Sequence, residues 1–298
     1  MTPVFRIGFA AALATMSPLG VPAFAAPDAT AAAVTEDARL TAFLDAEFAQ
    51  ELTMRPQLAT RLGMKEGADR FDDNSDAGAL KMLEWRRGSV ARMKAQFDRA
   101  KLSAEGQVNY DIWALELDRA ELAYKFRRYR PPFYSTLYSV HAQLPDFLIN
   151  THSVADATDL KTYAARLRAI PGVLDIALAQ MRESGTMGVH TPKFQIERII
   201  AGSRDIIGGA PFSEGKPSAL WADAQAKAAK LVASGKVTQA EADALLADVR
   251  TSLLSIRPAY ERVIAWAESE RATAPVGKAG AFTLPNGLDY YAAALKLN

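Results

Sequence analysis

Through most of this chain apolar residues recur at gaps of three, four and seven, the spacing that lines one face of an α-helix. Leu40, Phe43, Leu44 and Phe48 mark a first helix over Ala38–Leu52. Gly63, Gly67 and the run Asp72-Asp73-Asn74-Ser75-Asp76 break the pattern, and Asp76 is placed to cap a long helix whose Leu83, Val90, Met93 and Phe97 share a face. Ser103 caps the next helix, in which Tyr110, Trp113, Leu117 and Tyr124 form a stripe. Pro131-Pro132 ends it, and the stretch to Ser153 reads as an aromatic-rich connection with only short helical turns.

Beyond that, Asp156 opens a helix with Leu160, Tyr163, Leu167 and Ile170, and Pro171 starts a second with Leu174, Ala177, Leu178 and Met181 that Gly185 closes. This pair is expected to be antiparallel. Thr191-Pro192 leads into Ile196, Ile199, Ile200 and Ile207, stopped by Gly208-Gly209. Pro217 opens a helix to Ala233, and Thr238 with Glu241 forms a capping box ahead of Leu245, Val249, Leu253 and Ile256. Pro258 is expected to kink that element, which continues through Tyr260, Val263 and Trp266. Asn286 starts a last helix that carries Tyr290 and Leu295 on a common face. The expected fold is all-α, a multi-helix array of long antiparallel helices over residues 36–298.

The amino terminus follows a different pattern. Arg6, the apolar run Ile7–Met16, the breakers Pro18 and Gly20, and Ala23-Phe24-Ala25 read as a secretory signal over residues 1–25, with a flexible tether over 26–35. That apolar run falls short of the roughly 20 residues a membrane span requires. An exported, periplasmic or extracellular product is therefore expected. Cysteine is absent, so neither a thiol nucleophile nor a disulfide framework is available, and the core alone must stabilise the fold. Without Arg6 the chain carries 34 basic and 34 acidic side chains, which gives nucleic acid no net charge to follow.

Candidate chemistry is sparse. His141, His152 and His190 have no second histidine within a helical turn, so they supply no zinc-binding pair. Asp72, Asn74 and Asp76 begin like a calcium loop, but Ala77 and Leu83 stand where its glycine and bidentate glutamate belong. Gly209–Lys216 is one residue too long for a phosphate loop, and Pro217 takes the place of its hydroxyl. The cations of Lys125–Arg130 offset the negative end of a helix; the alternatives, with Phe126 and Tyr129 interleaved, are to stack bases, contact a membrane surface or hold a substrate carboxylate. Arg130, Tyr134, Tyr138 and His141 form the candidate substrate-binding group, with core packing as the alternative for the aromatic rings. No residue is assigned a catalytic or metal-binding role.

Gln143-Leu144-Pro145-Asp146-Phe147-Leu148, Tyr163-Ala164-Ala165-Arg166-Leu167, Gly188–Phe194, Gly209-Ala210-Pro211-Phe212, Pro258-Ala259-Tyr260 and Leu284-Pro285-Asn286-Gly287, followed by Tyr290-Tyr291, occur in an order and spacing that resembles the bacterial family of unknown function DUF885. The resemblance implies a fold similar to helical zinc peptidases, of which this chain corresponds to one lobe, and peptide hydrolysis by whole-length relatives. There two histidines and a glutamate hold zinc, and a second glutamate activates water. That His-Glu-x-x-His region falls beyond Asn298, so no cofactor is expected in this chain and it is expected to be inactive alone. The alternative is a self-sufficient, non-catalytic periplasmic binding or adaptor module. Either reading leaves peptide or a small polar molecule as the ligand, with no nucleic acid and no transmembrane segment, and sets no oligomeric state.

Overall fold

The computed structural model describes residues 35–134, 139–277 and 280–297. The leader reading and Tyr138 lie outside the described residues. From Glu36 onward the chain forms one compact unit. Its helices are α1 (Glu36–Met54), α2 (Pro56–Arg61), α3 (Asp76–Gln96), α4 (Ala104–Lys125), α5 (Val140–Asn150), α6 (Ala157–Thr186), α7 (Lys193–Ile206), α8 (Ala219–Ala233), α9 (Gln239–Leu254), α10 (Arg257–Glu270) and α11 (Gly287–Leu297). Among the described residues there is no strand beyond an isolated bridge between Ala210 and Pro217. The fold is all-α.

Its centre is α6. Leu160, Tyr163, Leu167, Ile170, Leu174 and Leu178 are almost entirely buried, and their stripe packs against α9 and α10 within one large core that also takes in α5, α7 and α8. Two antiparallel helices were expected here, split at Pro171; instead one helix of 30 residues runs straight through that proline. An interior proline normally costs about 3 kcal/mol or more. Leu167, Ile170 and Leu174 flank it at 0% exposure, and apolar burial worth roughly 1.5 to 3 kcal/mol per side chain outweighs that cost.

A second difference is α5, where sequence reading expects a connection. Leu144, Phe147 and Leu148 are buried at helical spacing, and Pro145 lies inside the helix. Pro145 has no N–H for the carbonyl of His141, four residues back. The buried Tyr260 hydroxyl of α10 donates to that carbonyl at 2.7 Å and satisfies it from outside the helix. At the carboxyl end of α5, Lys227 donates to the carbonyls of Leu148 (2.7 Å) and Ile149 (3.2 Å).

Helix α1 joins α3 and α4 through a smaller cluster of Leu40, Met93, Phe97 and Leu102. Ion pairs continue this contact where the apolar stripe stops: Arg92, half exposed, grips the buried Glu47 through Nε and Nη2 at 2.7–2.9 Å, and in a pair buried on both sides Arg86 Nη2 lies 2.7 Å from Glu51. The capping box of Thr238 with Glu241 forms as expected, and Asp156, which opens α6 as expected, does so in a second capping box with Asp159. At α3, however, the cap is Ser75, whose side chain accepts from the Gly78 amide. Asp76 is the first helical residue, and its carboxylate instead pairs with Arg127 and Arg128. Pro258 introduces a break rather than a kink, because α9 ends at Leu254 and α10 starts afresh with this proline in its first turn.

Candidate ligand-binding cleft

Between α1, α3, α4 and the loop before α3 lies a cavity of about 910 Å³. A second, of about 290 Å³, continues from it between that loop, residues 127–132 and α6; Asn74, Ala79 and Arg127 border both. The larger cavity is lined by six cationic side chains, Arg55, Arg70, Lys81, Arg86, Arg119 and Arg127, against four carboxylates, Glu51, Asp72, Asp73 and Glu116.

Arg86 anchors this wall. Its residue is 9% exposed, and its guanidinium carbon lies 4.6 Å from the Trp85 ring centre and 4.5 Å from that of Trp113. Glu51 accepts from it, and the other Glu51 oxygen accepts from Arg55 at 2.8 Å. One carboxylate thus serves two guanidinium groups. The Arg86 Nη1 and Arg119 Nε groups are buried with no hydrogen-bond partner among the described residues. Arg86 falls where an apolar residue would complete the stripe of Leu83, Val90 and Met93, and a charged residue at a core position is the sequence signal that finds it.

The opposite wall is the loop from α2 to α3. Gln57 N–H donates to the Asp72 carboxylate at 2.9 Å, and the Asp72 amide donates back to the Gln57 side chain at 3.2 Å. Burial raises the Asp72 carboxyl above its ordinary value, with the bond from Gln57 opposing. Gly78 lets this loop lie against the first turn of α3, since a Cβ there would sit 2.2 Å from the Asp73 carbonyl oxygen. Arg166 reaches over from α6 and fixes the loop from behind: it donates to the Arg70 carbonyl at 2.9 Å and to Thr60 Oγ1 at 2.7 Å.

The residues singled out in sequence are dispersed. Arg130 is exposed and borders the smaller cavity, and Tyr134 is half-buried, which raises its hydroxyl above the ordinary value. His141 borders neither cavity; it is buried beside Phe133, with ring centres 5.8 Å apart. Of the Lys125–Arg130 cations, Arg127 meets the helix-end reading by donating to the Tyr124 carbonyl at 3.0 Å. Arg128 departs from that reading because it is buried: its guanidinium bridges Asp76 of α3 and Glu183 of α6, with Nε 2.8 Å from Glu183.

Zinc, which the resemblance implies for whole-length relatives, does not fit these side chains. Arg166 can only donate, so His152 Nδ1 accepts from it at 2.9 Å, and Nε2 carries the proton given to the Asp159 carbonyl at 3.0 Å. Both ring nitrogens are thereby used. His141 is packed so closely that a Cβ on Gly202 would lie 3.3 Å from its Nε2, and His190 has one carboxylate, Glu270, at 3.6 Å. Among the described residues no three histidine, cysteine or acidic side chains converge as a ligand set.

Comparison with known proteins bears on the fold and the family. The family described as "Bacterial protein of unknown function (DUF885)" matches residues 56–298, well over half of the chain. The chain belongs to this family. No curated protein matches the sequence. A solved structure described as "the putative lipoprotein from Colwellia psychrerythraea" shares the fold with a TM-score of 0.72 at 13% identity, over 88% of this chain and 46% of that one. The DUF885 chain thus spans less than half the length of this structural relative. Three of the segments that carry the DUF885 resemblance lie in the packing: Leu144, Phe147, Leu148, Tyr163, Ala164, Leu167, Ala259 and Tyr260 all belong to the main core. Among the described residues no helix is long and apolar enough to cross a membrane.

Proposed function

We infer that this chain is the ligand-binding helical lobe of an exported DUF885 protein whose whole-length relatives are zinc-dependent peptidases. By itself it binds peptide or a small polar substrate and does not hydrolyse it. The cleft carries this reading: a cavity of about 910 Å³ is within the size range of small-ligand sites, and its wall is anchored by the buried Arg86–Glu51 pair. Zinc-assisted hydrolysis would require ligands for the metal, and the buried His141 and His152 are committed to packing and to internal hydrogen bonds. Arg130 stands at the edge of the smaller cavity and orients the substrate as it enters.

Export is supported by the leader pattern of residues 1–25 and by the description of the structural relative as a lipoprotein. In this arrangement the leader is removed, residues 26–35 serve as a tether, and the helical body from residue 36 onward works outside the cytoplasm. Incubating the purified 298-residue chain with a quenched-fluorescent peptide library and added zinc tests the division of labour. No chelator-sensitive cleavage is expected. Cleavage that tracks stoichiometric bound zinc would overturn the reading.

A further inference from the structure

The geometry points to the larger cavity as a site for the carboxylate of a short zwitterionic peptide, with Arg86 and Arg119 as the groups that receive it; this rests on the ligand-binding reading above. Both side chains line the cavity, and each has a buried guanidinium N–H without an acceptor: Nη1 of Arg86 and Nε of Arg119. A buried donor left unpaired is unfavourable, and a carboxylate is an acceptor whose geometry matches a guanidinium. Arg86 needs little reorganisation to act, because Glu51 and the rings of Trp85 and Trp113 already hold it.

The charge of the lining selects among anions. Six cations interleaved with four carboxylates make a lining of mixed sign, which suits a ligand that carries both charges better than a phosphate, which carries only negative charge. The carboxylates on the same walls, Glu116 and Asp73 among them, provide a place for an amino terminus. A ligand that carries one charge of each sign, separated by a short backbone, matches this distribution. Its side chains would lie near the apolar part of the lining, Met54, Met82 and Leu83.

Titration calorimetry of the 298-residue chain with trialanine, trialanine amide, succinate and inorganic phosphate tests this, with Arg119→Gln as the variant. The Arg119 side chain retains 42% of its exposure, so the variant should fold, and an unchanged urea midpoint confirms that it does. Trialanine should bind one to one, its amide at least 10-fold more weakly, and Arg119→Gln should weaken trialanine at least 10-fold. Equal binding of peptide and amide, unaffected by Arg119→Gln, overturns the carboxylate assignment and leaves the peptide-binding reading intact. Succinate binding in place of trialanine keeps the assignment and rejects peptide as the ligand. Phosphate bound more tightly than trialanine overturns the charge argument, and failure of all four overturns both assignment and reading.

Discussion

Replacing Arg166 with leucine should destabilise the protein by about 3 to 5 kcal/mol, the range seen when one partner is removed from a buried charged network. Arg166 is 0% exposed, and among the described residues its guanidinium has no carboxylate within hydrogen-bond distance. It donates instead to the Arg70 carbonyl, Thr60 Oγ1 and His152 Nδ1, with longer contacts to the carbonyls of Gly67 (3.4 Å) and Pro56 (3.5 Å), and its charge lies 4.9 Å from the Phe147 ring centre. Leucine would fill part of the volume and leave these acceptors buried without a donor, each worth about 1 to 3 kcal/mol. Burial lowers the guanidinium to about 10, partly offset by Asp69 and Asp72, so it remains charged at neutral pH. Arg168, two residues on, is half exposed and pairs with Asp248, so Arg168→Leu should cost under about 1 kcal/mol. Urea unfolding of both variants provides the comparison. Equal and small losses would contradict the role given to Arg166.

The second large effect is expected on acidification. Burial lowers His141 and His152 from 6.5 to about 4; at His152 the bond to Asp159 opposes this and the charge of Arg166 adds to it. The folded state therefore binds these two protons less readily than the unfolded state does. Stability should be unaffected above pH 6.5, fall as the pH drops below it, and stop falling on this account near pH 4. At pH 5 each histidine should cost about 2 kcal/mol. Urea midpoints at pH 7.5 and pH 5 measure the sum, and His141→Gln should remove about half of the difference. An unchanged midpoint across this range would contradict the burial of both rings.

The Arg166 and histidine effects also locate what the sequence made legible. Apolar spacing found α1, α3, α4 and the helices from α6 onward, because each buries a stripe whose period appears in the residues themselves. It missed α5 and divided α6 for a single reason: proline is a strong local signal, and at Pro145 and Pro171 tertiary contacts overrule it. The carbonyl that Pro145 leaves free is satisfied by Tyr260, 119 residues away from His141, a partner that no local window contains.

The cleft was less legible than the fold. Arg130 was singled out from its place in a cationic run, and it does border a cavity, yet Arg86, Arg119 and Glu51 drew no notice because each sits alone among helical neighbours. Their meaning depends on α1, α3 and α4 meeting, and on an ion pair such as Arg86 with Glu51 spanning 35 residues. The aromatic and histidine cluster had the reverse fate. Tyr134 and His141 are close in sequence, but the start of α5 turns His141 into the core. Buried polar positions on an otherwise apolar stripe, at Glu47, Glu51, Arg86 and Arg166, are the features that the hydrophobic pattern alone passes over.

The ligand-binding reading proposed above puts the ligand of this DUF885 chain in the cavity walled by α1, α3 and α4. Hydrogen–deuterium exchange of the chain with and without saturating trialanine tests it most directly, because protection reports which backbone segments the ligand orders. Slower exchange confined to residues 51–56, 70–86 and 116–127, the three segments of α1–α4 that line the larger cavity, is the expected result. Protection confined to α7–α10, or no change at those three segments under conditions where trialanine binds, would contradict it.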